Sequence, residues 1–265
     1  MTEMIATRTA YGEALAELGR ENKNIVVLDA DLSKSTKSAT FGSEFPDRHF
    51  NCGIAEQNMM GIAAGLATTG KIPFASTFAM FGAGRAFEVI RNSICYPKLN
   101  VKIALTHSGL TVGEDGATHQ SVEDIAIMRA IPNMVVLCPA DATETKKMVR
   151  KAAEYKGPVY LRLGRPNLPV LFDDSYDFEI GKATELKQGD DVTIIATGIM
   201  TSTALEASEK LAEEGIKARV INMGTIKPID EEAIVKAAKE TKAIVTAEEH
   251  SVIGGLGSAV ADVVG

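Results

Sequence analysis

Cysteine is scarce in this chain. Cys52, Cys95 and Cys138 are far apart, odd in number and free of any Cys-x-x-Cys spacing, which supports neither a disulfide framework nor a zinc site and reads as buried thiols. Long apolar runs are missing too: no stretch reaches the ~18 to 20 residues of a membrane span. Met1-Thr2-Glu3-Met4 lacks the basic-then-apolar order of a signal peptide. A cytosolic location without a membrane partner is therefore expected. Positive charge is in deficit, since Lys+Arg 28 against Asp+Glu 35 leaves a net charge of -7. That argues against nucleic acid, which needs a basic stripe to replace its counterions. Any phosphate bound here must meet local arginines.

What is present is the composition of a globular chain with a well-filled core. Of 265 residues, 45% are hydrophobic and 24% charged, and the length suits two domains at roughly 150 residues each. Short β-branched runs alternate with longer amphipathic stretches. Helices are expected over 9–20, 56–69 and 85–94, and strands over 25–28, 72–75, 101–105, 134–137 and 159–163. This alternation is the βαβ rhythm of a parallel sheet. Between Gly164 and Gly189 the pattern lapses into Pro166, Pro169 and the acidic run 173–177, which reads as a linker. A second unit follows with strands over 192–196, 218–221 and 243–246 and helices over 202–214 and 256–264. No strand follows the last helix, so the second sheet is expected to be incomplete. The fold expectation is α/β: two doubly wound α/β domains with mainly parallel sheets, over 1–168 and 189–265, joined by a linker over 169–188.

Two glycine clusters, Gly82-Ala83-Gly84 and Gly254-Gly255-Leu256-Gly257, look like pieces of dinucleotide loops. Neither completes Gly-x-Gly-x-x-Gly between a strand and a helix with a following acid. Close packing of helix starts accounts for them better, because glycine permits close backbone approach. His49 and His250 have no partner at metal-ligand spacing and read as surface or hydrogen-bonded histidines.

Three segments carry chemistry. Glu56, in Gly53-Ile54-Ala55-Glu56-Gln57-Asn58, stands at an expected helix start, where the macrodipole favours a carboxylate; helix capping and a catalytic role are both open. Phe78 and Phe81 lie three residues apart in Ser76-Thr77-Phe78-Ala79-Met80-Phe81, a spacing that serves core packing or the stacking of a flat ring. The third segment, Thr106-His107-Ser108-Gly109-Leu110-Thr111-Val112-Gly113-Glu114-Asp115-Gly116-Ala117-Thr118-His119-Gln120, directly follows an expected strand. Active-site loops of α/β sheets lie at such carboxyl ends. Two histidines, an aspartate and several glycines in one loop are poorly explained by packing, and histidine can donate or accept a proton near neutral pH.

These strings together resemble transketolase, over essentially the whole chain, from the pyrimidine-binding domain through most of the carboxyl-terminal domain. The resemblance implies that Glu56 hydrogen-bonds the aminopyrimidine of thiamine diphosphate and stabilises its imino tautomer, whose nitrogen removes the thiazolium proton to create the carbanion nucleophile. It implies that Phe78 and Phe81 enclose the ring and that Asp31 lies among the cofactor-binding residues. A third aromatic of some members is here Gly84, which loosens the outer wall of that pocket. By the same resemblance His107 and His119 contact the oxygens of the reacting two-carbon unit and Asp115 holds a sugar hydroxyl. Arg8, Ser35 and Arg165 match positions that hold the sugar phosphate, and guanidinium groups grip phosphate bidentately.

One family motif is absent. Thiamine enzymes hold the diphosphate through Mg2+ with a Gly-Asp-Gly and a later asparagine in their other domain, and this chain has no Gly-Asp-Gly. Asp173-Asp174 and Asp190-Asp191 have the wrong context, so no metal ligand is assigned here. The expectation is the second subunit of a split transketolase. It would transfer a glycolaldehyde unit between sugar phosphates only with an amino-terminal partner subunit, in an α2β2 assembly. A 2-oxoacid dehydrogenase β subunit and a deoxyxylulose-phosphate-synthase-like enzyme share the glutamate and are the nearest rivals. A non-catalytic assembly subunit is a more distant one.

Overall fold

A computed structural model describes residues 3–265. The apolar runs form a seven-stranded sheet in the spatial order Thr225–Lys227, Val135–Leu137, Val159–Arg162, Lys102–Thr106, Ile72–Phe78, Ile25–Asp29, His49–Asn51. Every neighbouring pair is parallel except the first. Parallel strands are covered on both faces; accordingly Ile25–Asp29, Lys102–Thr106 and Val159–Arg162 are buried at every residue, the charged Asp29, Lys102 and Arg162 included. One face packs on Met59, Met60, Ile90, Ile103 and Met128. The other packs on Tyr11, Leu15, Phe41, Phe74 and Val149, the side covered by helices Thr7–Glu21 and Ala142–Glu154. The latter helix starts where Asp141 accepts the Glu144 amide hydrogen at 2.7 Å, the usual work of an N-cap aspartate.

A second, four-stranded sheet runs Ile244–Ala247, Val192–Ala196, Ala218–Asn222, Thr184–Lys187. Its first three strands are parallel and the last is antiparallel. Helix Met200–Glu213 covers one face through Ala204, and helices Glu231–Glu240 and Leu256–Val264 cover the other through Ile234 and Leu256. Two mainly parallel α/β units are thus present, as the alternating pattern implied.

Three features depart from a simple reading of the pattern. Residues 169–188 are not free chain: Phe172 and Phe178 are buried, Phe172 stacks on Tyr176 at 3.9 Å, and Thr184–Lys187 is the edge strand of the second sheet. Thr225–Lys227, from the second half of the sequence, crosses over to pair antiparallel with Val135–Leu137 of the first sheet. Finally, the helix expected over 85–94 is broken into wide π-helical turns at Met80–Arg85 and Ile90–Cys95 around a short turn at Phe87–Val89. Gly82 lets the first of these approach the sheet, since a Cβ there would meet Leu105 Cδ1 at 2.5 Å. Among the described residues no helix is long and apolar enough to cross a membrane.

Candidate active site

Adjacent parallel strands end together, and the carboxyl ends of Ile25–Asp29, Ile72–Phe78 and Lys102–Thr106 deliver Asp31, Phe78 and His107 to one edge of the first sheet. Asp31 and His107 both take a left-handed backbone, φ 63° and 59°, a conformation uncommon for non-glycine residues that gathers at functional sites. The His107 ring stacks on Phe78 with centroids 3.8 Å apart. Phe81 stacks behind Phe78 at 5.8 Å, and His119 meets the Phe81 ring edge-on at 5.0 Å. Four of the expected site residues therefore form one aromatic cluster.

His107 is buried and held at both nitrogens. Arg8 Nη1 donates to Nε2 at 3.1 Å and Thr106 Oγ1 lies 2.8 Å from Nδ1. Arginine only donates, so Nε2 is the acceptor and Nδ1–H donates to Thr106. Burial pushes the His107 pKa down to about 3, and the positive Arg8 and Arg165, with His119, add to the effect. The near-neutral titration expected of a histidine here is not what the surroundings give: His107 is a neutral hydrogen-bonding group.

The other expected ligands surround this cluster. Arg8 Nη1 also donates to the Ser35 carbonyl at 3.0 Å, so Ser35 enters through its backbone, while Arg8 Nε is buried with no partner among the described residues. The loop carrying Ser35 is pinned by the buried Asp29, which accepts from the Leu32 amide at 2.7 Å and from the Ser38 hydroxyl at 3.3 Å. Arg165 donates to Glu114 Oε1 at 2.8 Å, to Asp115 Oδ2 at 3.2 Å and to the Val112 carbonyl. Two residues expected to hold different parts of a sugar phosphate, Asp115 and Arg165, are thus paired with each other. Asp31 is exposed and accepts from Asn51 Nδ2 at 3.0 Å.

Glu56 is the first residue of helix Glu56–Thr68 and is only 4% exposed. Among the described residues its carboxylate accepts from no backbone amide. Instead Arg85 Nη1 donates to Oε1 and Oε2 at 3.3 and 3.4 Å, beside an open cavity of about 520 Å³ lined by Ile54, Ala55, Glu56, Gln57, Asn58 and Arg85. The Arg85 guanidinium lies 4.2 Å from the centre of the Phe81 ring. It thereby joins the acid to the aromatic cluster.

Sequence reading missed Arg85, Thr106 and Glu249. Glu249 reaches over from the second domain, where Oε1 accepts the Thr111 amide at 2.5 Å and Oε2 the Thr111 hydroxyl at 3.2 Å. With 138 positions between them, no local signal connects the two. The glycine cluster 254–257 is explained by its own chain: Glu248 accepts the amides of Leu256 and Gly257 at 2.7 and 2.9 Å, filling the helix start that a phosphate would need. His250 is hydrogen-bonded, with Nε2 accepting the Ala126 amide at 3.3 Å. His49 is half-buried against Gly42.

The model for the transketolase pyrimidine-binding domain matches residues 3–170, and that for the transketolase C-terminal domain matches residues 181–265. The chain belongs to the transketolase family. A Methanocaldococcus jannaschii protein named as a transketolase C-terminal section is 60% identical over 97% of this chain and 81% of its own length. A 6-deoxy-6-sulfo-D-fructose transketolase subunit from Clostridium sp. is 44% identical over 97% of the chain and 80% of its own length. Human transketolase is 42% identical over 99% of the chain, which spans 42% of that longer protein. Among solved structures, a split-gene transketolase described as an inactive beta4 tetramer superposes with a TM-score of 0.92 at 64% identity, covering 99% of this chain and 86% of that one. The cluster of acid, aromatics and histidines therefore sits in the region matched by the transketolase pyrimidine-binding domain.

Proposed function

We propose that this chain is the cofactor-activating subunit of a two-chain transketolase, moving a two-carbon ketol unit from a ketose phosphate to an aldose phosphate. The observation that carries the reading is the slot between Glu56 and Phe81. A flat, delocalised cation, the Arg85 guanidinium, already lies against the buried carboxylate and the aromatic face, so a planar nitrogen-rich ring such as an aminopyrimidine fits the same surroundings. Thiamine diphosphate, when bound, supplies the nucleophilic carbon and the electron sink for breaking the bond beside the ketose carbonyl.

The residues of this chain then have separate tasks. Glu56 holds or returns a proton at a ring nitrogen, and Phe78 and Phe81 stack against the ring and keep water from its face. His107, neutral at working pH, orients hydroxyl groups through hydrogen bonds rather than through charge, with His119 beside it. Arg8, with a buried Nε still free to donate, and Arg165 grip the sugar phosphate, and Asp115 takes a hydroxyl once Arg165 turns to the substrate. Asp31 belongs with the cofactor-binding residues at the neighbouring strand end. The Mg2+ and the diphosphate fall to an amino-terminal partner subunit, because the Gly-Asp-Gly that would hold them is absent from this chain. An α2β2 assembly in the cytosol completes the proposal.

The test is ketol transfer from xylulose 5-phosphate to ribose 5-phosphate by this chain mixed with its partner. Transfer by the mixture and by neither chain alone is expected. Decarboxylation of pyruvate instead would reassign the chain to the 2-oxoacid enzymes, and tight thiamine diphosphate binding by this chain alone would remove the need for a partner.

A further inference from the structure

Glu56 is almost wholly buried, and a buried carboxylate without a partner is costly. Arg85 is the partner, although it is built unlike a permanent one. Its side chain is 54% exposed, against 4% for Glu56, and its contacts with the two carboxylate oxygens are long, at 3.3 and 3.4 Å. The segment that carries it, Met80–Arg85, is a π-helical turn, a form that recurs at functional sites where a side chain must be re-aimed. Gly84, the residue before Arg85, carries no side chain to hold the guanidinium down. The backbone of Arg85 is anchored through its carbonyl, which accepts from Gln57 Nε2 at 3.1 Å. A clamped backbone beneath a loosely held side chain makes a pivot. The guanidinium meanwhile occupies the Phe81 face, 4.2 Å from its centre.

Acid and aromatic face are the two surfaces that an aminopyrimidine needs, and one residue covers both. Resting on the function proposed above, we propose that Arg85 is a placeholder. In the lone subunit it neutralises Glu56 and shields Phe81, and cofactor uptake requires its side chain to swing out into the open cavity of about 520 Å³ beside it. The guanidinium resembles the ring it yields to in being planar, delocalised and rich in N–H donors. It differs in lacking any acceptor, so it cannot carry a proton to and from the acid as the ring nitrogen does. Placeholder and cofactor therefore exclude one another. Cofactor binding bears the cost of breaking the Arg85–Glu56 contact, and removing that contact strengthens binding.

The experiment compares thiamine diphosphate binding, with Mg2+, to the two-chain complex carrying wild-type, Arg85→Met or Arg85→Lys subunit, by isothermal titration. Thermal unfolding of each lone subunit is measured in parallel. Arg85→Met should bind the cofactor about 3- to 10-fold more tightly, the range expected from removing a partly exposed ion pair that competes with the ligand. The same variant should unfold at a lower temperature as a lone subunit, because Glu56 loses its counter-charge. Arg85→Lys, which keeps the charge, should bind close to wild type. Unchanged or weaker binding by Arg85→Met overturns the proposal, since it makes Arg85 a bystander or a permanent cofactor ligand. If the wild-type complex takes up no thiamine diphosphate at all, the cofactor assignment itself fails, a result distinct from any difference among the variants.

Discussion

Both sheets end their parallel strands toward the same region of the molecule, yet the two sets of ends do different work. In the first domain they carry Asp31, Phe78 and His107, side chains with open or displaceable partners. In the second they are closed by internal contacts. The Thr197 hydroxyl, just past strand Val192–Ala196, donates to the Met223 carbonyl at 2.9 Å. Asn222, ending strand Ala218–Asn222, donates to Glu144 of the first domain at 2.8 Å. Glu249, past strand Ile244–Ala247, holds Thr111 of the histidine loop. The place where α/β sheets usually bind ligands is here a docking face that steadies a loop of the other domain. One topology therefore carries the candidate site on one side of the junction and support on the other.

That division can be broken or sharpened by substitution. The largest effect is expected on the chemical side. Glu56→Gln removes the proposed proton acceptor while keeping size, and ketol transfer by the proposed two-chain complex should fall on the order of 10²- to 10⁴-fold, with subunit association unchanged. A smaller effect should come from the supporting side. Glu249→Ala deletes one hydrogen bond to a backbone amide and one to a hydroxyl, and kcat/KM for a phosphorylated sugar should drop roughly 10- to 100-fold. Unaltered kcat/KM would reduce the second domain to a passive neighbour.

The junction itself is tested through Glu144. It is fully buried and accepts from the Ala140 amide, the Tyr176 hydroxyl and Asn222 at 2.6, 2.9 and 2.8 Å, and burial raises its pKa to about 7. Glu144→Ala takes the acceptor from all three, leaving Tyr176 only its contact with the Thr184 hydroxyl at 3.2 Å, and should cost about 2 to 3 kcal/mol in urea unfolding. A gentler effect is expected from acid. Unfolded His107 titrates near 6.5 and folded His107 near 3, so between those values the folded chain binds fewer protons than the unfolded one. Stability should fall as pH drops through that window, and His107→Gln should flatten the fall. At the low end, Lys182→Ala removes an exposed pair with Glu232, and urea unfolding should show no measurable change in stability.

Much of the first domain was legible in the sequence because its evidence is local. The run 25–28 is apolar on both faces, and 101–105 is apolar except at Lys102, the pattern of a covered parallel strand. The histidine loop announces itself by following one of them. Glu56, Phe78 and Phe81 lie in short strings whose family pattern is recognisable. What escaped notice was long-range or irregular. Glu249 and Thr111 are far apart in the chain, and nothing near either residue names the other. Arg85 read as one more residue of an amphipathic helix, since the π-helical turn that aims it at Glu56 shifts its direction by a residue without disturbing the apolar pattern. The neutrality of His107 follows from burial and from two arginines brought in from positions 8 and 165, so no periodicity could have revealed it.

The three-residue strand Thr225–Lys227 has one further consequence. It belongs by sequence to the second domain and by hydrogen bonding to the first, where it covers the edge of Val135–Leu137. A fragment ending near residue 170 would expose that edge, a row of unpaired amides and carbonyls of the kind that templates aggregation. The domains are thus modules in pattern but not in folding. A single cooperative unfolding transition should describe both, and a break in the chain between them would leave the edge of Val135–Leu137 dependent on reassociation of the two pieces.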